Sequence, residues 1–115
     1  MRRALGQQGE EIAARYLQKE GYRILSRNYR TRYGELDIIC LKNEALIFVE
    51  VKTRRSESFG SAEEAITSKK IEHIKKVALL YLTNNQTKYK EIRFDVITIL
   101  MVNNEPRLNH IQAAF

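Results

Sequence analysis

A chain of 115 residues, 43% apolar and 30% charged, is long enough to bury a core and is expected to form one domain over residues 1–115. Its apolar runs fall far short of a membrane span, the opening MRRALGQQGEE has no apolar signal core, and a single cysteine excludes an internal disulfide, which together predict a cytoplasmic protein with Cys40 as a small core residue. The net charge of +6, from 20 Lys and Arg against 14 Asp and Glu, fits a polyanionic partner such as DNA or simply a solvated surface.

The first predicted element is a helix over Leu5–Lys19. Its stripe of Leu5, Gly9, Ile12, Ala13, Tyr16 and Leu17 repeats at helical spacing, and Gly21 supplies a C-terminal cap. YRILSRNY then reads as a strand with Tyr22, Ile24 and Ser26 on one face, followed by an RTRYG loop. GELDIICLK and ALIFVEVKTR read as two strands joined by a turn at Asn43 and Glu44. SFGSAEEAI leads into a helix start, with Ser61 and Glu64 spaced as a capping box. The helix itself is expected over Ser68–Thr83, with Ile71, Ile74, Val77, Ala78, Tyr81 and Leu82 inward. After a polar connection come the strand IRFDVITILMV, an NNEP turn and a short strand over Arg107–Ile111. The order αβββαβ, with a small addition, predicts a mixed α/β domain in which three strands form an antiparallel meander and the helix-linked fourth joins parallel.

Four charges are out of place in this scheme. Glu35, Asp37, Glu50 and Lys52 interrupt runs of Leu, Ile, Phe and Val, and a buried charge is costly unless it is paired or binds a metal. With Asn43 and Glu44 at the turn, Lys42 faces Ala45, Leu41 faces Leu46 and Ile39 faces Phe48. The same register sets Asp37 against Glu50 and Glu35 against Lys52, and alternation places Asp37, Glu50 and Lys52 on one face. Like charges with Cβ atoms about 5 Å apart destabilise a sheet. Magnesium held by the two carboxylates, with water and phosphate completing its shell, would compensate. The alternative is that Lys52 neutralises Glu35 or Glu50 in a surface ion pair, which leaves Asp37 facing a like charge.

Asp37 followed by Glu50, Val51 and Lys52 resembles the PD-(D/E)xK signature of restriction-endonuclease-like nucleases, with Leu36 where the signature has proline. Over nearly the whole chain, GQQGEEIAARYLQKEGYRILSRNYRTRYGELDII, FVEVKTRRSESFGSAEEAI and RFDVI resemble the YraN-like bacterial family of predicted endonucleases, itself similar to archaeal Holliday junction resolvases. The resemblance implies a restriction-endonuclease-like αβββαβ core, its mixed central sheet flanked by helices. It implies a metal-dependent nuclease that hydrolyses phosphodiester bonds in DNA, with branched or structured DNA as a candidate substrate, using Mg2+ (or Mn2+) and acting as a homodimer. It also implies Glu10 as the helix acid, Asp37 and Glu50 as metal ligands together with the Val51 carbonyl, and Lys52 as the catalytic lysine.

Helical periodicity sets Glu10 beside Leu17 at the margin of the apolar stripe, with Glu11 pointing away. Glu10 therefore either reaches the sheet edge or is a flanking surface charge. Arg30, Arg32, Arg54 and Arg55 flank the proposed centre and Lys69 and Lys70 open the second helix, so these six are candidate phosphate contacts. Tyr29 and Tyr33 read as core or rim residues before base-stacking ones, and Asp95 as a structural charge paired with Arg93 or another basic residue before one lying near the site. His73 and His110 lack the spacing of a zinc site. The rival reading is a non-catalytic nucleic-acid-binding module that retains the nuclease fold. The acid-acid-lysine set favours the nuclease, because a binding module has no need to hold Asp37 against Glu50.

Overall fold

The structure, a computed structural model, describes residues 2–55 and 66–115, with side chains from residue 5 onward. Helix α1 (Arg2–Lys19) is followed by strands β1 (Arg23–Thr31), β2 (Gly34–Lys42) and β3 (Ala45–Arg54), helix α2 (Ser68–Asn84), and strands β4 (Glu91–Val102) and β5 (Glu105–Ile111). One five-stranded sheet runs in the order β1-β2-β3-β4-β5. Its pairs are antiparallel except β3 with β4, which is parallel. This is the expected α/β arrangement, a meander followed by a helix-linked parallel strand. Among the described residues no helix is long and apolar enough to cross a membrane.

Local chemistry explains the joints. Gly21, at φ 89°, closes α1 in a Schellman arrangement: the Tyr22 amide donates to the Leu17 carbonyl at 2.9 Å and the Gly21 amide to Gln18 at 3.1 Å. Asn43 and Glu44 take φ of 49° and 70°, the mirror-image turn that matches strand twist. Asn103 and Asn104 repeat the device at 52° and 63°, so Val102 already pairs with Glu105 and β5 starts there rather than at Arg107. α1 likewise begins at Arg2 rather than Leu5. The Ser61–Glu64 capping box lies outside the described residues. The observed cap of α2 is Thr67, whose Oγ1 accepts the Lys70 amide at 3.1 Å.

Both faces of the sheet are covered. Ala13 and Leu17 of α1 meet Ile38, Cys40, Ile47, Val49, Ile97 and Ile99 on one side. On the other side Ile74, Val77 and Tyr81 of α2 meet Leu36, Ile39, Leu46 and Phe48. β3, buried from Ala45 to Val51, therefore needs an unbroken apolar run rather than alternation. Cys40 is a core residue as expected, and Tyr29 packs edge-to-face on Tyr81 at 5.3 Å.

Two irregularities position the centre. Leu36 packs toward α2 and Ile38 toward α1, so the pleat slips by one residue at Asp37. Asn28 lies across from this point, between the pairs Arg27↔Ile38 and Tyr29↔Leu36, and has φ 53°. On the other side of β2, pairing with β3 stops at Ile38↔Val49.

α1 approaches β3 closely at Gly9, where an added Cβ would overlap Thr53 Oγ1 and lie 2.9 Å from Thr53 Cβ. Gly to Ala inside a helix ordinarily stabilises by about 1 kcal/mol. Here Gly9→Ala is expected to destabilise by about 1–3 kcal/mol, read by urea unfolding. A gain in stability would show that the helix is free to shift away from Thr53.

Candidate metal centre

The register predicted from the turn holds from Lys42↔Ala45 to Ile38↔Val49 and goes no further. The expected ladder pairs Asp37↔Glu50 and Glu35↔Lys52 do not form, because the two strands part at this point. Asp37 occupies the gap instead, and its Oδ2 accepts the Val51 amide at 2.7 Å. Glu50 stays in phase with Leu46 and Phe48 and faces α2, with Lys52 beside it on the strand. Asp37 does not share that face by alternation; its carboxylate lies in the gap, close to Glu10 and Glu35 and beside Glu50.

Four carboxylates converge here. Ligand oxygens of Glu10, Glu35 and Asp37 all lie within 4.8 Å of one another. Asn28, with its amide oriented to satisfy both atoms, donates to Glu10 Oε1 at 3.0 Å and to Glu35 Oε1 at 2.9 Å. Burial, and then the adjacent Glu50 carboxylate, push the Asp37 carboxyl up to about 8 against the opposing pull of the Val51 amide. Burial and then Glu35 also raise Glu10. Glu10 thus reaches the sheet rather than remaining a flanking surface charge.

Glu50 is only 3% exposed. Its Oε2 faces Lys52 Nζ at 3.5 Å and Lys70 Nζ at 3.3 Å. Its Oε1 is buried and accepts no hydrogen bond among the described residues. A buried carboxylate oxygen without a donor is destabilising; a proton on the raised Asp37 carboxyl beside it or a cation would satisfy it. Alongside, an open cleft of about 470 Å³ between α1 and the end of β3 is lined by Gly6, Glu10, Val51, Lys52 and Arg54 among others. A second cavity of about 210 Å³, between Ile66, Ile71, Val96 and Phe115, is lined by apolar side chains among the described residues.

The sequence reading did not include Glu35 in the centre. It expected Glu35 to lie opposite Lys52; instead Glu35 pairs with Arg30 Nε at 2.8 Å and faces α1. Its spacing of two from Asp37 was the available signal. Of the six candidate phosphate contacts, Arg30 is engaged by Glu35 and Lys70 by Glu50. Arg32 stacks over Tyr33 at 5.0 Å, and Arg54 is half-buried, its Nε without a hydrogen-bond partner among the described residues. Arg55 and Lys69 are exposed.

Asp95 is structural, as expected, and its network is larger than the one pair foreseen. It accepts from Arg93 Nε and Nη2 at 2.8 and 2.9 Å, from the Ala113 amide at 3.0 Å, and meets His110 Nε2 at 2.7 Å. Tyr16 Oη contacts His110 Nδ1 at 2.9 Å. This Tyr–His–Asp chain resembles a catalytic relay in connectivity. Asp95 is completely buried, however, and the His110 side chain is 5% exposed, so no substrate reaches it.

The family model described as "Uncharacterised protein family UPF0102" matches residues 9–99. The UPF0102 protein of Syntrophomonas wolfei is 55% identical over 115 residues, which span 100% of both chains. That of Nocardia farcinica is 45% identical over 115 residues, covering 99% of this chain and 91% of its own. That of Alkaliphilus oremlandii is 44% identical over 117 residues, covering 100% of both. The chain therefore belongs to family UPF0102, the YraN-like group that its sequence resembles.

Proposed function

We propose that the protein is a metal-dependent nuclease that hydrolyses phosphodiester bonds in DNA, with branched or structured DNA as a candidate substrate. The observation that carries this reading is the orphaned Oε1 of the buried Glu50 beside the strongly raised Asp37 carboxyl. A fold that gains nothing from like charges at this spot holds them together, as a cation site requires.

Asp37 and Glu50 would hold a Mg2+ or Mn2+ ion, with Glu10 and Glu35 at its flank. A strand residue points its N–H and C=O to the same side. Because the Val51 amide faces Asp37, the Val51 carbonyl is directed into the same gap and suits the ligand set. When bound, such an ion supplies charge relief at the scissile phosphate and lowers the pKa of water. Lys52, tethered to Glu50 and 28% exposed, sits where its ammonium can orient the attacking water or donate to a phosphate oxygen. Exposed Arg55 and Lys69 suit backbone contacts that position without reading sequence. As a homodimer, two such centres would address two strands.

Cleavage of a four-way junction, a duplex and a single strand, in Mg2+ or in EDTA, tests the reading. Wild type is expected to cut at least one substrate in Mg2+ and none in EDTA. Lys52→Ala should lose about a hundredfold or more in rate while keeping its DNA affinity. DNA binding indifferent to metal, with no cleavage of any substrate, would favour the non-catalytic binding module.

A further inference from the structure

Glu50 Oε2 is shared by two ammonium groups from different elements. Lys52 arrives along β3, two residues on from the carboxylate. Lys70 arrives from the first turn of α2, whose position is fixed by the Thr67 cap. The two partners of the Lys70 pair are unequal: the lysine side chain is 42% exposed, and the Glu50 side chain 3%. Lys70 can exchange its partner for solvent or for another anion, whereas Glu50 has no such alternative.

We infer that Lys70 couples metal binding to DNA binding: it holds the Glu50 charge in the metal-free protein, then yields the carboxylate to the ion and turns to a backbone phosphate. The inference rests on the metal site proposed above. One buried carboxylate cannot serve two ammonium groups and a divalent cation equally, since the ion repels both at a few ångströms and takes over the attraction that held them. Lys52 is fixed beside the gap by its strand. Lys70 stands on the first turn of a helix, where free amides and the helix dipole also favour an anion. A lysine released there adds its charge to a surface already suited to phosphate. The coupling is reciprocal, so DNA should tighten metal binding by the factor with which metal tightens DNA binding.

The test is calorimetric titration of Mn2+ into wild type, Lys70→Gln, Lys70→Arg and Lys69→Gln, with and without a short phosphorothioate duplex that resists cleavage. The salt dependence of duplex binding is measured in parallel, with and without Mn2+. Without DNA, Lys70→Gln should bind Mn2+ about two- to fivefold more tightly, because its competitor is gone. In wild type, Mn2+ should steepen the slope of log K against log salt by about 0.9, the signature of one added phosphate contact. Lys70→Arg and the neighbouring control Lys69→Gln should retain that steepening, and Lys70→Gln should lose it. If Lys70→Gln binds Mn2+ and keeps the steepening, the inference is overturned alone. If wild type shows no Mn2+ binding at all, the metal reading falls and this inference with it.

Discussion

Asp37→Asn is expected to abolish stabilisation by Mg2+ or Mn2+ and, in EDTA, to leave a protein more stable than wild type at pH 8. The two effects share one cause. The Asp37 carboxyl is pushed up to about 8 by burial first and by Glu50 second, with Glu10 adding to the rise. The folded state therefore binds a proton that the unfolded chain has released, across the window from the ordinary carboxylate value near 4 up to about 8. Metal-free stability is greatest at the acid end of that window and is lost as pH rises through it. Asparagine removes the titration and keeps an oxygen to accept the Val51 amide. The variant should lead wild type by at least about 1 kcal/mol at pH 8, and the lead should shrink toward pH 5. Metal reverses the order, since an ion at a hundred times its Kd adds about 2.7 kcal/mol to a protein that binds it. Urea unfolding at pH 5, 6.5 and 8, in EDTA and in Mg2+, reads both effects. A variant that retains the metal-dependent gain would remove Asp37 from the ligand set.

Asp95→Ala is expected to cost about 3–5 kcal/mol, because it strands Arg93 and His110 against each other in a buried setting. Asp95 ties β4 to β5, to the turn at Ala113 and, through His110 and Tyr16, to α1. Burial alone would raise its carboxyl. The hydrogen bonds from His110, Arg93 and the Ala113 amide outweigh that and hold it below the usual carboxylate value. A depressed carboxylate stabilises fully above its unfolded pKa, near 4, and loses that contribution as pH falls through the lower folded value. Wild type should thus lose stability below about pH 4, while Asp95→Ala should show a flatter acid limb. A loss under about 1 kcal/mol at pH 7 would mean that the network relaxes around the missing group. Asp95→Asn, which keeps the shape, should bind metal like wild type, which separates this network from the centre.

The centre and the fold were legible in the sequence to different depths. Apolar patterning and the Asn43 turn were enough for the element order and for the β2–β3 register, because both are local. What the register could not show was where pairing ends. The slip at Asp37 depends on Asn28, a residue of another strand in a backbone state that few side chains adopt. Extrapolating the ladder therefore brought Asp37 to Glu50 correctly as neighbours but wrongly as paired residues on one face, and sent Glu35 to Lys52 instead of to Glu10. The partners of Asp95 were hidden for a related reason. Arg93 lies on the same strand and was foreseen, whereas His110 depends on β4 and β5 pairing as Val96↔Ile111 and Ile97↔His110. Lys70 was read as opening α2, and the helix does begin at Ser68; its meeting with Glu50 depends on how α2 packs on the sheet, which is not local.

The parallel pairing of β3 with β4 also bears on how the chain is made. β3 carries Glu50 and Lys52 and pairs with β4 all the way from Ala45↔Glu91 to Arg54↔Leu100. The whole of α2 separates the two strands in sequence, so this ladder closes more slowly than the local hairpins before it. Until it closes, a nascent strand that is apolar on both faces presents an open edge, the segment most exposed to mispairing during synthesis. A ribosome stalled before β4 would hold a chain with Glu10, Glu35, Asp37, Glu50 and Lys52 already in place along its length and without the buried setting that makes them a site.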